Sequence, residues 1–177
     1  MRAVKSIHEA LYHAYFNNNV KLKINYIDSE DLQKETPKNL LSDCDGILVP
    51  GGFGNRGFEG KISAIKYARE KNIPFFGICL RHQMSVIEYA RNVCDLKNAN
   101  SRESGRKIKD FVIDIMEDQK NLDSKGGNMR LGDYPCEIMK STKVAEAYRK
   151  TKILERHRHR YEVNPKYHNI LSKKGLI

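Results

Sequence analysis

Cys79 is the residue of this 177-residue chain whose surroundings most strongly indicate covalent chemistry. The segment IPFFGICLRHQ, residues 73–83, begins as a predicted buried strand and places the cysteine where a helix should begin. A helix N-terminus lowers the pKa of a thiol, and a tight strand-to-helix turn exposes the sulfur. Gly77 supplies the first glycine of the G-x-[SC]-x-G pattern, but Arg81 stands at the second glycine position. A buried structural cysteine is the alternative, and spacing alone does not separate the two interpretations.

A glycine-rich loop upstream favours the catalytic interpretation. The segment PGGFGNRG, residues 50–57, follows a short apolar run that predicts a buried strand. Glycines allow a backbone to approach a ligand closely, and two backbone amides beside a thiolate can form an oxyanion hole. Glycine pairs also occur in ordinary tight turns, so the loop adds support but is weak evidence when taken alone.

The order of elements predicts an α/β fold with a mostly parallel sheet and helices on its faces. We expect helices over residues 5–18, 59–71, 80–94 and 142–150. We expect a half-buried strand over 20–26 and further strands within 45–54, 73–79, 110–116 and 152–163, with a loop over 118–128. Ligands bind at the carboxyl ends of parallel strands, where the glycine loop and Cys79 would meet.

Composition narrows the classes of protein and of partner. The net charge is +10 and the pI about 9.4, but the lysines are scattered, which is typical of a solvated surface. The four cysteines form no C-x-x-C pair and no zinc-site spacing, which predicts reduced thiols in a cytoplasmic protein without a metal site. No signal-peptide pattern occurs, and no apolar run approaches the roughly 18 residues of a membrane span.

Several segments together resemble the glutamine amidotransferase (class I) domain of CTP synthases. They are GILVPGGFGNRGFEGKISAIKYAREKNIPFFGICL with Gln83, then IEYARNV, KNANSRE, GGNMRLG and ERHRHRYEVN. The resemblance runs from about Ser6 to the C-terminus. ERHRHRYEVN and ARNV…ANS disfavour another class I amidotransferase or a related cysteine hydrolase. The resemblance implies an open, mostly parallel, flavodoxin-like sheet, incomplete in this chain.

The resemblance also implies a residue-by-residue site. Family members attack the side-chain amide of glutamine with the cysteine of GICL, which here is Cys79, and form a thioester. The ammonia passes to a separate synthase domain, where ATP-activated UTP becomes CTP. The oxyanion would be held by backbone amides of Gly52 or Phe53 and of Leu80. The amino-acid part of glutamine would be bound by Gln83, Glu103, Arg160 and Tyr161, in which a carboxylate suits the α-ammonium and a guanidinium the α-carboxylate.

Three departures from the family pattern bear on activity. The motif GICLGMQ reads GICLRHQ here, and we expect Arg81 in place of glycine to cost about 1–3 kcal/mol in strain or packing. The late HPE segment that supplies the family's base is not matched, since no H-x-E occurs in this sequence and His82 is a weak substitute. The strand that precedes the first helix in the family is also not matched.

The sequence thus predicts one partial amidotransferase domain over residues 1–177, truncated at both ends, without the synthase domain. Two hypotheses stay open: an amidotransferase portion of CTP synthase whose activity in isolation is weak or nil, or an inactive pseudo-amidotransferase that binds a partner, for example a separately encoded synthase domain. No cofactor is expected in this chain, because ATP and Mg²⁺ belong to the synthase domain. Glutamine is the expected ligand, and neither nucleic acid, despite RHRHR, nor a membrane is an expected partner.

Overall fold

The computed structural model describes residues 2–52, 56–104, 108–115 and 130–176. They divide into two compact units, Met1–Asp114 with Val163–Ile177, and Ile115–Glu162. The predicted loop over 118–128 lies outside the described residues. A helix able to cross a membrane is not found in the described part of the chain.

The first unit contains most of the helices and two parallel strand pairs. Its helices are α1 (Arg2–Asn18), α2 (Asp31–Lys34), α3 (Pro37–Leu41), α4 (Phe58–Glu70), α5 (Leu80–Asn92) and α7 (His168–Lys173). Strands β1 (Ile47–Val49) and β2 (Phe75–Gly77) are parallel, with Val49 opposite Gly77. Strands β3 (Asn100–Ser101), β4 (Phe111–Ile115) and β7 (Tyr161–Val163) form a sheet in that order, with β3 parallel to β4. The last residue of β4 and the first two residues of β7 are assigned to the second unit. The predicted α/β class is confirmed.

The core of this unit explains why α4 and α5 form as the apolar spacing predicts. Both helices turn small and branched side chains inward at i, i+3 and i+4 positions. The buried apolar side chains of the two helices are Ile62, Ala64, Ile65, Ala68, Leu80, Met84, Val86, Ile87 and Ala90. Both helices contact each other and β2, and Ala64 and Ala68 of α4 share a core cluster with Ile47 and Val49 of β1.

An ion pair with a buried carboxylate joins α4 to α5. It explains the role of some polar residues in the IEYARNV segment. Glu88 is 1% exposed and accepts a two-pronged hydrogen bond from Arg69, with the shortest Nη2–Oε1 distance 2.8 Å. Asn92 donates to the same carboxylate at 3.1 Å. Arg91 donates from Nε to the carbonyl of Ala99 at 2.7 Å, which ties the end of α5 to the segment leading into β3. These contacts are structural rather than chemical in role.

Two predictions about strands are wrong. Residues 20–26 form no strand, and Val20 and Tyr26 are 54% and 72% exposed. Alternating apolar residues make a strand only where a neighbouring strand pairs with them, and within the described residues no strand pairs with this segment. The segment 73–79 does form β2, but Phe76 is 63% exposed rather than buried. In the described part of the chain β2 pairs with β1 alone.

The second unit is built on an antiparallel hairpin. Strand β5 (Arg130–Glu137) pairs with β6 (Lys152–His159) in continuous register, from Arg130 opposite His159 to Glu137 opposite Lys152. The connection contains α6 (Lys143–Tyr148), and Thr142 caps it by accepting a hydrogen bond from the amide of Ala145 at 3.2 Å. The predicted short helix and the strand character of residues 152–163 are therefore confirmed.

Candidate active site

Cys79 occupies a sharp turn between β2 and α5. Its backbone has φ 61° and ψ −123°, a conformation that a residue with a Cβ rarely adopts. Holding such a residue in place costs on the order of 1–3 kcal/mol, and such strain clusters at functional sites. The turn is held from both sides, since the amide of Ile78 donates to the carbonyl of Val49 at 3.1 Å and the amide of His82 donates to Cys79 at 3.0 Å.

Gly77 is required by this turn because the helix begins directly against it. A Cβ at Gly77 would lie 2.8 Å from the carbonyl oxygen of Arg81 and 2.9 Å from the amide nitrogen of His82. Both are backbone atoms of the first turn of α5, so neither can rotate away. Arg81 itself has no positive φ, and its amide donates to Ile78 at 3.1 Å. The glycine of the usual pattern is thus not needed at position 81 for backbone conformation.

The glycine loop lies against the cysteine. A Cβ built on Gly51 would be 3.5 Å from the Cβ of Cys79, so the loop that follows β1 contacts the turn that follows β2. The Cys79 side chain is half-buried rather than enclosed in the apolar core. This juxtaposition fits a nucleophile at the carboxyl end of a parallel pair, and it does not fit a cysteine packed inside a strand.

The first turn of α5 divides its side chains between interior and surface. Leu80, Arg81 and Gln83 are buried, with exposed fractions of 8%, 5% and 8%. His82 faces the exposed side. Gly52, the other expected oxyanion donor, is half-buried beside Arg81, because a Cβ there would lie 3.4 Å from Nη2 of Arg81. Phe53 lies outside the described residues.

Of the residues expected to bind glutamine, Gln83 and Glu103 lie in the same unit as Cys79. Glu103 sits in a single helical turn after β3, Arg102–Ser104, where its amide donates to Ser101 Oγ at 3.1 Å. Its carboxylate is exposed and acts electrostatically on Arg81. Arg160 and Tyr161 belong to the second unit, where Arg160 follows β6 and Tyr161 begins β7, and both side chains are half-buried.

Two cations near the turn, Arg81 and Lys61, have lowered pKa values. Burial lowers the pKa of the Arg81 guanidinium, while Cys79 and Glu103 act in the opposite direction. Burial also lowers the pKa of Lys61 on α4, and the positive charge of Arg81 lowers it further. Sequence reasoning missed Lys61, since no motif in the sequence signals that this lysine lies near position 81. It also did not predict that the Arg81 side chain would be buried.

Metal chemistry has no evident site here. Within residues 2–52, 56–104, 108–115 and 130–176, no three His, Cys, Asp or Glu side chains are grouped so that they could hold a metal ion. The chemistry that the described residues support is therefore that of a thiol beside a glycine loop and a helix N-terminus.

A family model for class-I glutamine amidotransferases matches residues 3–175 of this chain. The chain belongs to this family. It is 52% identical over 176 residues to a CTP synthase of Bdellovibrio bacteriovorus and 55% identical over 175 residues to one of Cytophaga hutchinsonii. These matches cover 98% and 99% of this chain. The chain spans about a third of the length of these curated relatives, 33% and 32%.

A solved structure shows the same fold for this amidotransferase. The glutaminase domain of Trypanosoma brucei CTPS, with bound acivicin, superposes with a TM-score of 0.87 at 44% sequence identity. The match covers 96% of this chain and 66% of that one. The resemblance to the amidotransferase domain of CTP synthases is thus confirmed.

Proposed function

We propose that this chain binds glutamine and hydrolyses it as the amidotransferase part of a CTP synthase. The observation that carries the proposal is the turn at Cys79, a half-buried thiol at positive φ, at the N-terminus of α5 and against Gly51. A strained strand-to-helix corner of this kind holds a nucleophile in many hydrolases. The relatives named CTP synthase support glutamine as the substrate.

The proposed reaction has two steps. The sulfur of Cys79 bonds to the carboxamide carbon of glutamine, the C–N bond breaks, and the thiol proton is transferred to the departing nitrogen to give ammonia. Water then attacks the thioester carbon, which releases glutamate and restores the thiol. The negative charge that develops on the oxygen would be stabilised by amides of Gly52 or Phe53 and of Leu80, which begins α5.

Binding of the amino-acid part of glutamine is assigned by the family resemblance. Glu103 would take the α-ammonium, and Arg160 the α-carboxylate, with Gln83 and Tyr161 beside them. The ammonia would pass to a synthase domain that binds ATP, UTP and Mg²⁺, and this domain is the proposed protein partner. Residues 1–177 are proposed to act as one amidotransferase domain within such an assembly.

Glutamate release tests the proposal. The purified chain is incubated with glutamine, and release is compared with Cys79→Ala and with Cys44→Ala, a change at another half-buried thiol. We expect weak release from the parent, the same weak release from Cys44→Ala, and loss to background in Cys79→Ala. Equal release from all three proteins would refute a role for Cys79.

Acivicin provides a second readout, since it is bound to the Trypanosoma brucei glutaminase domain. We expect acivicin to protect Cys79 from alkylation by iodoacetamide and to leave Cys44 unprotected. The burial of Arg81 beside the glycine loop favours one competing function, that of a non-catalytic binding module. Protection by acivicin without glutamate release would support that function instead.

A further inference from the structure

We propose that the corner at Cys79 binds a negatively charged group of the carboxylate class, and that the buried guanidinium of Arg81 is the residue that selects it. The inference rests on the proposed function only in taking this corner as the place where the ligand's reacting end lies. It goes further in assigning Arg81 a role, because Arg81 stands where the family pattern has glycine.

The Arg81 side chain is buried with much of its hydrogen-bonding capacity unused. The residue is 5% exposed, and its Nε finds no acceptor among the described residues. Its Nη1 donates to the thioether sulfur of Met84 at 3.3 Å, which is a weak acceptor. A guanidinium carries five N–H donors in a planar fork, so this one has donors left for a ligand.

One of the terminal nitrogens of Arg81 lies beside the glycine loop. The Nη2 atom lies 3.4 Å from where a Cβ on Gly52 would be, on the glycine loop itself. Gly51, the adjacent loop residue, lies against the Cys79 side chain. The helix that begins after Cys79 has 13 residues, and its N-terminus also favours a negative charge. A ligand group placed here would meet the thiol, the loop and the guanidinium together.

The charge of Arg81 is not neutralised by its surroundings. Burial lowers its pKa, which shows that the charged form loses hydration, and no ion pair joins it to a carboxylate in the described residues. Its positive charge also acts on Lys61. Burial is the largest cause of the lowered Lys61 pKa, and the charge of Arg81 is the next. Cys79 and Glu103 act against the lowering of the Arg81 pKa, but Cys79 is the thiol of the site itself and Glu103 is exposed. A buried guanidinium with unused N–H donors is stabilised most by a carboxylate, which can accept two parallel hydrogen bonds. A neutral amide stabilises it less.

A pair of alkylating reagents measures this preference at Cys79 directly. Iodoacetate and iodoacetamide share size and leaving group, but iodoacetate is an anion and iodoacetamide is neutral. The rate of modification at each cysteine is followed by peptide mass spectrometry, and the iodoacetate-to-iodoacetamide ratio is calculated for each site. Cys44 and Cys136 are also half-buried and serve as internal controls in the same tube.

We expect a higher ratio at Cys79 than at Cys44 and Cys136 in the parent chain. In Arg81→Gln the ratio at Cys79 should fall roughly tenfold, the effect of one charge-assisted hydrogen bond, while the control ratios stay unchanged. Arg81→Lys should retain part of the preference, because it keeps the charge without the fork. A parent ratio at Cys79 no higher than at the controls overturns the proposal, and this comparison needs no variant to fold.

Glutamate and glutamine complete the test as competing ligands. We expect glutamate to protect Cys79 from iodoacetamide at a lower concentration than glutamine in the parent chain. The reverse order, or an unchanged alkylation ratio in Arg81→Gln, contradicts the inference. The two proposals fail separately. Glutamate release with no Arg81-dependent preference refutes the anion site alone, whereas a clear preference with no glutamate release refutes catalysis and leaves the anion site standing.

Discussion

Replacing Gly77 by alanine should damage the turn at Cys79 without touching the thiol. The added Cβ would lie 2.8 Å from the Arg81 oxygen, 2.9 Å from its carbonyl carbon and 2.9 Å from the His82 nitrogen. Contacts between non-bonded heavy atoms are optimal at about 3.5–4.0 Å, so the first turn of α5 must retreat by roughly 0.7 Å or more. Overpacking typically costs about 1–3 kcal/mol, and we expect the upper end because backbone atoms must move.

Urea unfolding followed by circular dichroism gives the measurement. With a loss of about 3 kcal/mol and a slope near 2 kcal/mol/M, the midpoint should fall by roughly 1.5 M with the slope unchanged. Gly46→Ala is the matched control, since its Cβ would meet only the Pro74 oxygen at 3.7 Å. That change also removes a glycine from the unfolded chain and should shift stability by less than about 1 kcal/mol. Equal urea midpoints for the two variants would show that a Cβ at position 77 does not collide with the first turn of α5.

Three further changes probe the first unit. Arg69→Ala should cost about 3 kcal/mol in urea unfolding, because it leaves the buried Glu88 carboxylate without its guanidinium. Asn164→Ala should cost about 1–2 kcal/mol, since its side chain donates to the Phe111 carbonyl at 3.0 Å. Burial, and then a hydrogen bond to a carboxylate, raises the pKa of Tyr167, so folding favours the neutral phenol. That stabilisation is present below about pH 10 and lost above it, and Tyr167→Phe should flatten the fall in stability at alkaline pH.

Each of these three predictions has an outcome that would contradict it. Lys66→Ala removes an exposed pair with Glu70, at 3.8 Å, and should change stability by less than about 1 kcal/mol. If Arg69→Ala costs no more than that, the buried pair is not intact. An Asn164→Ala midpoint equal to that of the parent would remove the role of its side chain. A Tyr167→Phe curve parallel to that of the parent through alkaline pH would mean that the phenol titrates normally.

Apolar spacing predicted the helices that bury one face against other parts of the chain. The helices α4 and α5 were predicted within a few residues, because a helix that packs against strands shows its inward face in the sequence at i, i+3 and i+4. The segment 20–26 has an equally regular pattern, yet it forms no strand. Strand formation depends on a partner elsewhere in the chain, and a local pattern carries no information about that partner.

The turn at Cys79 could be predicted, but the chemistry around it could not be predicted fully. Gly77 has a clear physical reason, a close approach of the α5 backbone, and glycine in the sequence signals it. Arg81 has no comparable signal, since a long charged side chain is usually exposed. Its burial depends on where Met84 and Gly52 lie after folding. Lys61 was missed for the same reason, because its neighbour is set by the packing of two helices.

At position 79, the proposed function and the stability of the fold favour different residues. Its φ of 61° suits glycine, so a glycine at this position would remove the conformational cost while abolishing the thiol. Alanine would abolish the thiol and keep that cost. A substitution of Cys79 by glycine would therefore raise stability and remove the reactive thiol. Stabilising designs for this chain must leave position 79 unchanged.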